Sequence, residues 1–256
     1  MTRKLLFAIS VSLSVFFPHR LLATDVLLDS TETHSIETQE NRFSLRQLIV
    51  PTAIITLGAL GTIDYQGGIN HEIQKNFVDK KHFSLDNYLR FVPSAGYLAL
   101  GGAGIGAKHS FKERCAALVT SHAIMMTLGY GLKAIVQEER PDRSDNHSFP
   151  SGHAAFSFTG AELLRIEYGT YYGIAGYAVA TSVAFLRIYN NKHWLNDVVM
   201  GAGIGILSAR LGYALLPWER KLFRWDKMDS SKQAVAVLPQ YDFQRKVLGV
   251  SVFAQF

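Results

Sequence analysis

Cysteine is nearly absent from this chain. Cys115 is the only one in 256 residues, so no internal disulfide can form. In its apolar surroundings it reads as a small packed hydrophobe. A basic stripe is missing too. The net charge is +5, but the lysines and arginines are scattered among apolar stretches, which suits an anionic substrate or a membrane surface and speaks against a nucleic-acid partner. Charged residues are few, at 18% against 48% hydrophobic, which excludes a disordered chain. Mean hydropathy is nevertheless only slightly positive, too low for helices that face lipid on every side, so membrane association has to be judged segment by segment.

Residues 1–23 read as a signal peptide or N-terminal anchor. Arg3 and Lys4 precede an apolar run from Leu5 to Phe17, and Leu21-Leu22-Ala23 forms an imperfect cleavage site. Residues 24–43 turn polar and acidic without apolar periodicity, the composition of a linker. From there the chain alternates long apolar segments with short polar punctuation. Helices are expected at about 45–64, 86–106, 113–137, 152–168, 171–188 and 194–216, each near the ~20 residues that cross a bilayer. The fold expected is all-α, a six-helix membrane or membrane-associated bundle. Gly102 and Gly106, and again Gly201 and Gly205, stand at helical spacing and suggest close helix packing. Glu162, Arg165 and Glu167 argue that the fourth helix faces its neighbours or an interface, not lipid all round. Residues 218–256 form a tail. Its Trp218 to Trp225 portion mixes cations with aromatics, either as a membrane-surface anchor or as a solvated helix end. Ala234 to Leu238 and Lys246 to Phe256 alternate enough to form a short C-terminal β-hairpin.

Three polar blocks interrupt the apolar pattern: Lys133 with Arg140-Pro141, Pro150-Ser151-Gly152-His153, and Arg187 with His193 and Asp197. Each taken singly has an ordinary reading, as a headgroup marker, a turn with its cap, or a surface hydrogen bond. Placed on the expected helices, however, they fall at the end of the third, the start of the fourth, the end of the fifth and the start of the sixth. In an up-down bundle those ends share a face. Arg140 and Arg187 can grip phosphate oxygens in bidentate fashion, and Lys133 adds a compact charge. Ser151 and Gly152, opening a helix, offer a hydroxyl, free N–H groups and the positive end of the helix dipole. Asp197, four residues after His193, can fix the imidazole tautomer that leaves the other ring nitrogen free to attack phosphorus, while His153 handles the proton of the leaving group.

These three blocks resemble the motif set of the type 2 phosphatidic acid phosphatase superfamily, which also contains bacterial acid phosphatases and vanadium haloperoxidases. The likeness spans roughly residues 45–216 and implies a phosphatase domain over 44–217. It implies His193 as nucleophile, Asp197 as its orienting partner, His153 as acid and base, and Lys133, Arg140, Ser151, Gly152 and Arg187 as the phosphate-binding set. No metal or other cofactor is implied for hydrolysis. One departure is Leu186, where the family usually has serine before its arginine. His147 is close enough to be a substrate contact, and His122 reads as a packed helix residue.

More narrowly, the export-type start, the block from Leu186 to Asp197 and the terminal tail look similar to bacterial envelope lipid phosphatases, including lipid A 4′-phosphatases. That implies an anionic phospholipid or lipid A as substrate, a membrane as partner, and no obligate protein partner. Alternatives within the resemblance are an undecaprenyl diphosphate or phosphatidylglycerol phosphate phosphatase, a vanadate-dependent haloperoxidase and a non-catalytic membrane protein. The basic residues Lys108, Lys112, Arg114, Arg220, Lys221 and Arg224 favour the end of the bundle opposite the three blocks as cytoplasmic, hence a cell-envelope protein with a periplasm-facing site at the inner membrane, the alternative being a periplasmic, membrane-associated domain.

Overall fold

The computed structural model describes residues 43–63, 66, 68–77, 84–225, 234–242 and 247–255. The chain divides into Met1–Glu40 and Asn41–Phe256, and all the described residues belong to the second unit. The expected signal or anchor, and the linker apart from Phe43, lie outside them.

Eight α-helices are present among the described residues, not six. They are α1 (Ile49–Leu60), α2 (Gly68–Phe77), α3 (Asp86–Leu89), α4 (Val92–Gly102), α5 (Phe111–Val136), α6 (Gly152–Tyr168), α7 (Thr170–Tyr189) and α8 (Leu195–Leu222). The extra two have simple causes. The expected helix over 86–106 is broken at Arg90 and Phe91. Pro93 then occupies the first turn of α4, where its missing N–H costs nothing. Gly104, at φ 85°, marks where the chain leaves that helix. α2 is short and polar overall, so its helical signal, Ile69, Ile73 and Phe77 spaced four residues apart, falls outside the long apolar runs from which the six helices are read. Its Asn70 and Gln74 do packing work normally assigned to apolar side chains: Asn70 joins Asn196 at 2.9 Å, and Gln74 reaches Asn191 at 3.2 Å.

α5 begins with a reciprocal cap, in which Ser110 N–H donates to Glu113 at 2.8 Å and Glu113 N–H to the Ser110 hydroxyl at 3.4 Å. α8 runs past the expected end at 216 and through Pro217, because its last turn is held by α5. Thr120 donates to Glu219, and Arg220 pairs with Glu113 at 2.5 Å. At the C-terminus β1 (Ala234–Asp242) and β2 (Val247–Gln255) pair antiparallel, with Leu238 opposite Ser251.

α6 is the centre of the bundle, packed against α7 and α8, with α1 and α5 also lying on α8. The glycine expectation holds for α8 and fails for α4. A Cβ on Gly201 would stand 2.5 Å from the Ser151 carbonyl oxygen, and one on Gly205 would stand 2.9 Å from Thr159 N, so both let α6 approach. At Gly102 and Gly106 a Cβ would meet nothing within 4 Å. Met125, Phe149, Ala155, Met200 and Ile204 form a core beneath the polar blocks, and Tyr97, Leu163, Leu164 and Ala209 a second one.

The charges on α6 point inward. Glu162, fully buried, accepts from Arg165 at 2.6 and 2.8 Å, Arg210 at 2.6 Å and Tyr177 at 2.6 Å. Burying a carboxylate costs several kcal/mol unless donors surround it in this way. Glu167 is likewise met by His109 and Tyr213. At the same end, Arg114 is buried and bonded to two carbonyls of α4 and to Tyr168, so its position has a packing cause as well as any topological one. By length and composition, α5 and α8 are the described helices able to cross a membrane. α1 and α4, at 12 and 11 residues, fall short of the ~20 expected of each helix.

Candidate active site

The three blocks meet at one end of the bundle. Ser151 N–H donates to the Asp197 carbonyl at 3.0 Å, a direct backbone link between the second block and the third. His193 lies in the turn before α8, not on the helix, and Asp197 in the first helical turn reaches back to it. Asp197 Oδ2 stands 3.1 Å from His193 Nδ1, accepts the Trp194 N–H at 2.9 Å and takes the Ser148 hydroxyl as well. One carboxylate therefore caps α8 and holds the imidazole by Nδ1, leaving Nε2 for chemistry. Both residues are buried, His193 at 3% exposure and Asp197 at 0%.

The cations surround this pair. Lys133 Nζ donates to the carbonyls of His147 and Ser148 at 2.5 and 3.3 Å, tying the first block to the loop before the second. His147 contributes that carbonyl while its side chain is exposed. Arg140 uses Nε on Asp145 at 2.7 Å, and buried Arg187 uses Nη1 on Asp86 at 2.8 Å. Among the described residues, buried Ser151 Oγ and Arg187 Nε meet no hydrogen-bond partner. Unpartnered donors of this kind are costly unless a ligand takes them. A Cβ on Gly152 would meet nothing within 4 Å, so the backbone there is open to close approach. Phe149-Pro150, in cis, leads into this turn.

Several contributors were not apparent in the sequence. Asp86, Asn87 and Arg90 arrive from α3 and its end. Asp86 holds Arg187 and, through Oδ1, Asn190 at 3.3 Å; Asn87 Oδ1 stands 2.8 Å from His153 Nε2. Glu138 is buried against Asn196, 3.4 Å from each oxygen. None lies in a periodic or motif context, and only proximity in space marks them. His122, as expected, is a packed residue, bonded to Leu118 O and Ser94 and 4.2 Å from the Phe156 ring.

The electrostatics follow from burial and crowded cations. Burial, outweighing the pull of Asp197, lowers His193 to about 4, so the ring is neutral at ordinary pH. Burial and then Arg187, Arg90, His193 and Arg140 lower His153 to about 3, a field that an incoming dianion would offset. Glu138 is pushed up to about 9, first by burial and then by the charge of Asp197. Its raised value means that it favours folding below its unfolded value and that this contribution is lost as pH climbs from about 4.5 to about 9. Chemical unfolding of Glu138→Gln and of the native chain should therefore show their stability difference moving in the variant's favour across that window. A difference independent of pH would contradict the shift.

Fold and side chains define a helical domain that can hold an oxyanion against a buried, carboxylate-bound histidine. Residues 114–221, which include all three blocks, match the profile of the PAP2 superfamily. A protein of Porphyromonas gingivalis named lipid A 1-phosphatase is 38% identical over 140 residues, covering 52% of this chain and 31% of that protein. An undecaprenyl-diphosphatase of Sulfolobus acidocaldarius is 30% identical over 109 residues, covering 37% of this chain and 53% of that protein. The chain thus spans about a third and about half of the length of these relatives. Among solved structures, LpxE of Aquifex aeolicus is similar with a TM-score of 0.47 and 21% identity, covering 58% of this chain and 96% of that one.

Proposed function

We propose that the chain is an envelope lipid phosphatase that hydrolyses a phosphate monoester through a phosphohistidine, acting on lipid A at the periplasmic side of the inner membrane. The observation that carries this reading is the buried His193–Asp197 pair at 3.1 Å, beside the unpartnered Ser151 Oγ and Arg187 Nε. His193 Nε2 attacks phosphorus as His153 gives a proton to the departing alkoxide, so an N–P bond forms and the P–O ester bond breaks. Asp197 offsets the positive charge that develops on the ring. Water then attacks phosphorus as His153 takes its proton, the N–P bond breaks, and inorganic phosphate leaves with His193 restored. Lys133, Arg140, Arg187, Ser151 and the Gly152 N–H hold the phosphate oxygens through both steps.

The domain over 44–217 does this chemistry with α5 and α8 as the membrane crossings. Ile49, Leu57, Leu60, Val119, Met126, Ile135, Ile174 and Phe185 are exposed and apolar, which supports a lipid-facing surface. The phosphate proposed for removal is the 4′-phosphate of lipid A, which would lower surface negative charge and weaken attraction of cationic antimicrobial peptides. Mass spectrometry of lipid A from cells with and without the chain should show one phosphate fewer when it is present, and fragmentation assigns the 4′ or 1 position. An unchanged pattern rejects lipid A. The second reading, supported by the Sulfolobus relative, is hydrolysis of undecaprenyl diphosphate, read by phosphate release from that lipid.

A further inference from the structure

Arg90 is a cation the three blocks do not account for. It sits at the end of α3 with its guanidinium 4.6 Å from the centre of the Phe91 ring, and Phe91 packs edge-on against Phe156 at 5.1 Å. This stacking fixes where the fork points. Nη1 lies 3.3 Å from His153 Nε2, and buried Nε meets no hydrogen-bond partner among the described residues. The neighbouring cations differ in this respect. Arg140 is matched by Asp145 and Arg187 by Asp86, whereas Arg90 has no carboxylate partner among the described residues. A half-buried guanidinium with a spare donor and no counterion, beside two other arginines, is positioned for an anion.

Its contact with His153 has a chemical consequence. An arginine N–H can donate only to an Nε2 that carries no proton, while Asn87 Oδ1, 2.8 Å from the same atom, can accept only from an Nε2 that does. The two contacts are alternatives on one nitrogen. From the remaining elements His153 faces Arg187 on α7 and His193 and Arg140 in the adjoining loops, all cationic or neutral groups that favour the unprotonated ring.

We propose that Arg90 is a further phosphate-binding residue, which exchanges His153 Nε2 for an oxygen of the bound phosphate and so frees that nitrogen to take a proton and donate it to the leaving group. Asn87 then holds the protonated ring until the leaving oxygen replaces it. Phosphate binding and arming of the acid become one event. The proposal rests on the reading of His153 as proton donor.

The test uses the full chain in detergent, inorganic phosphate as the probe, and calorimetry in two buffers of different ionisation enthalpy, which gives both affinity and protons taken up. The native chain should take up protons on binding. Arg90→Gln should bind phosphate about 10- to 100-fold more weakly, the scale of one charge-assisted hydrogen bond, and with smaller proton uptake. Arg90→Lys, which keeps the charge but not the fork, should recover part of both. Native affinity in Arg90→Gln, or native proton uptake, overturns the proposal. Should that variant not fold, Arg90→Lys decides alone, and affinity equal to the native chain's overturns it. Failure of the phosphatase reading looks different: the native chain then binds phosphate with proton uptake yet releases none from either lipid.

Discussion

His193→Ala is expected to lower phosphate release from a lipid phosphomonoester by about 10⁴-fold or more, because the variant lacks the Nε2 proposed to form the bond to phosphorus. The variant should remain folded. Asp197 keeps the Ser148 hydroxyl and the Trp194 N–H when the imidazole is gone, so its carboxylate is not left bare. Thermal melting separates the two effects, and a phosphoryl-enzyme trapped in alkaline denaturant should appear for the native chain and not for the variant. A folded His193→Ala that keeps substantial activity sinks the phosphohistidine mechanism.

Gly201→Ala carries the second large effect, and it touches no substrate. The added Cβ would lie 2.5 Å from the Ser151 carbonyl oxygen and 3.2 Å from the Ala154 Cβ. Backbone cannot yield as a flexible side chain does, so α6 must shift away from α8. That shift moves Ser151 and His153 relative to His193, and a displacement near 1 Å in such a site costs about 10²-fold in rate. The expected result is a loss of that order in kcat with a smaller change in KM, measured beside a modest drop in melting temperature. Full activity would mean that the two helices are not held in the register described here. Gly102→Ala is the natural comparison, since it meets nothing and should leave the rate unchanged.

The contrast between those glycines also says what was legible in the sequence. Gly102 and Gly201 look the same in one dimension, each with a partner four residues on, and only the three-dimensional neighbour distinguishes them. α6 and α7 were readable to within a residue because long apolar runs end there at glycine and at polar turns. α2 was not, because its apolar period, Ile69, Ile73 and Phe77, is carried by three residues in an otherwise polar segment, while Asn70 and Gln74 tie it to the turn and helix beyond Tyr189. The three blocks were legible because their residue types are few and their spacing fixed. Asp86, Asn87 and Arg90 were not, since a four-residue helix has no periodicity and their partners lie roughly 60 to 100 residues away. Motifs record what a reaction demands of every enzyme that runs it, whereas the side chains that steady those motifs are specified by the local fold.

The single Asp197 oxygen that receives Ser148, Trp194 N–H and His193 has a consequence for genetics. Any substitution there damages the start of α8 and the imidazole together, so an inactive allele at this codon says nothing about which loss was responsible. Alleles at Ser148 divide the two: removing its hydroxyl leaves the cap and the Asp197–His193 contact in place, and takes away one donor to the carboxylate together with a 3.5 Å contact to His193 Nδ1. A screen that scores Ser148 variants as mild and Asp197 variants as null would be ranking the number of tasks lost, not their importance to catalysis.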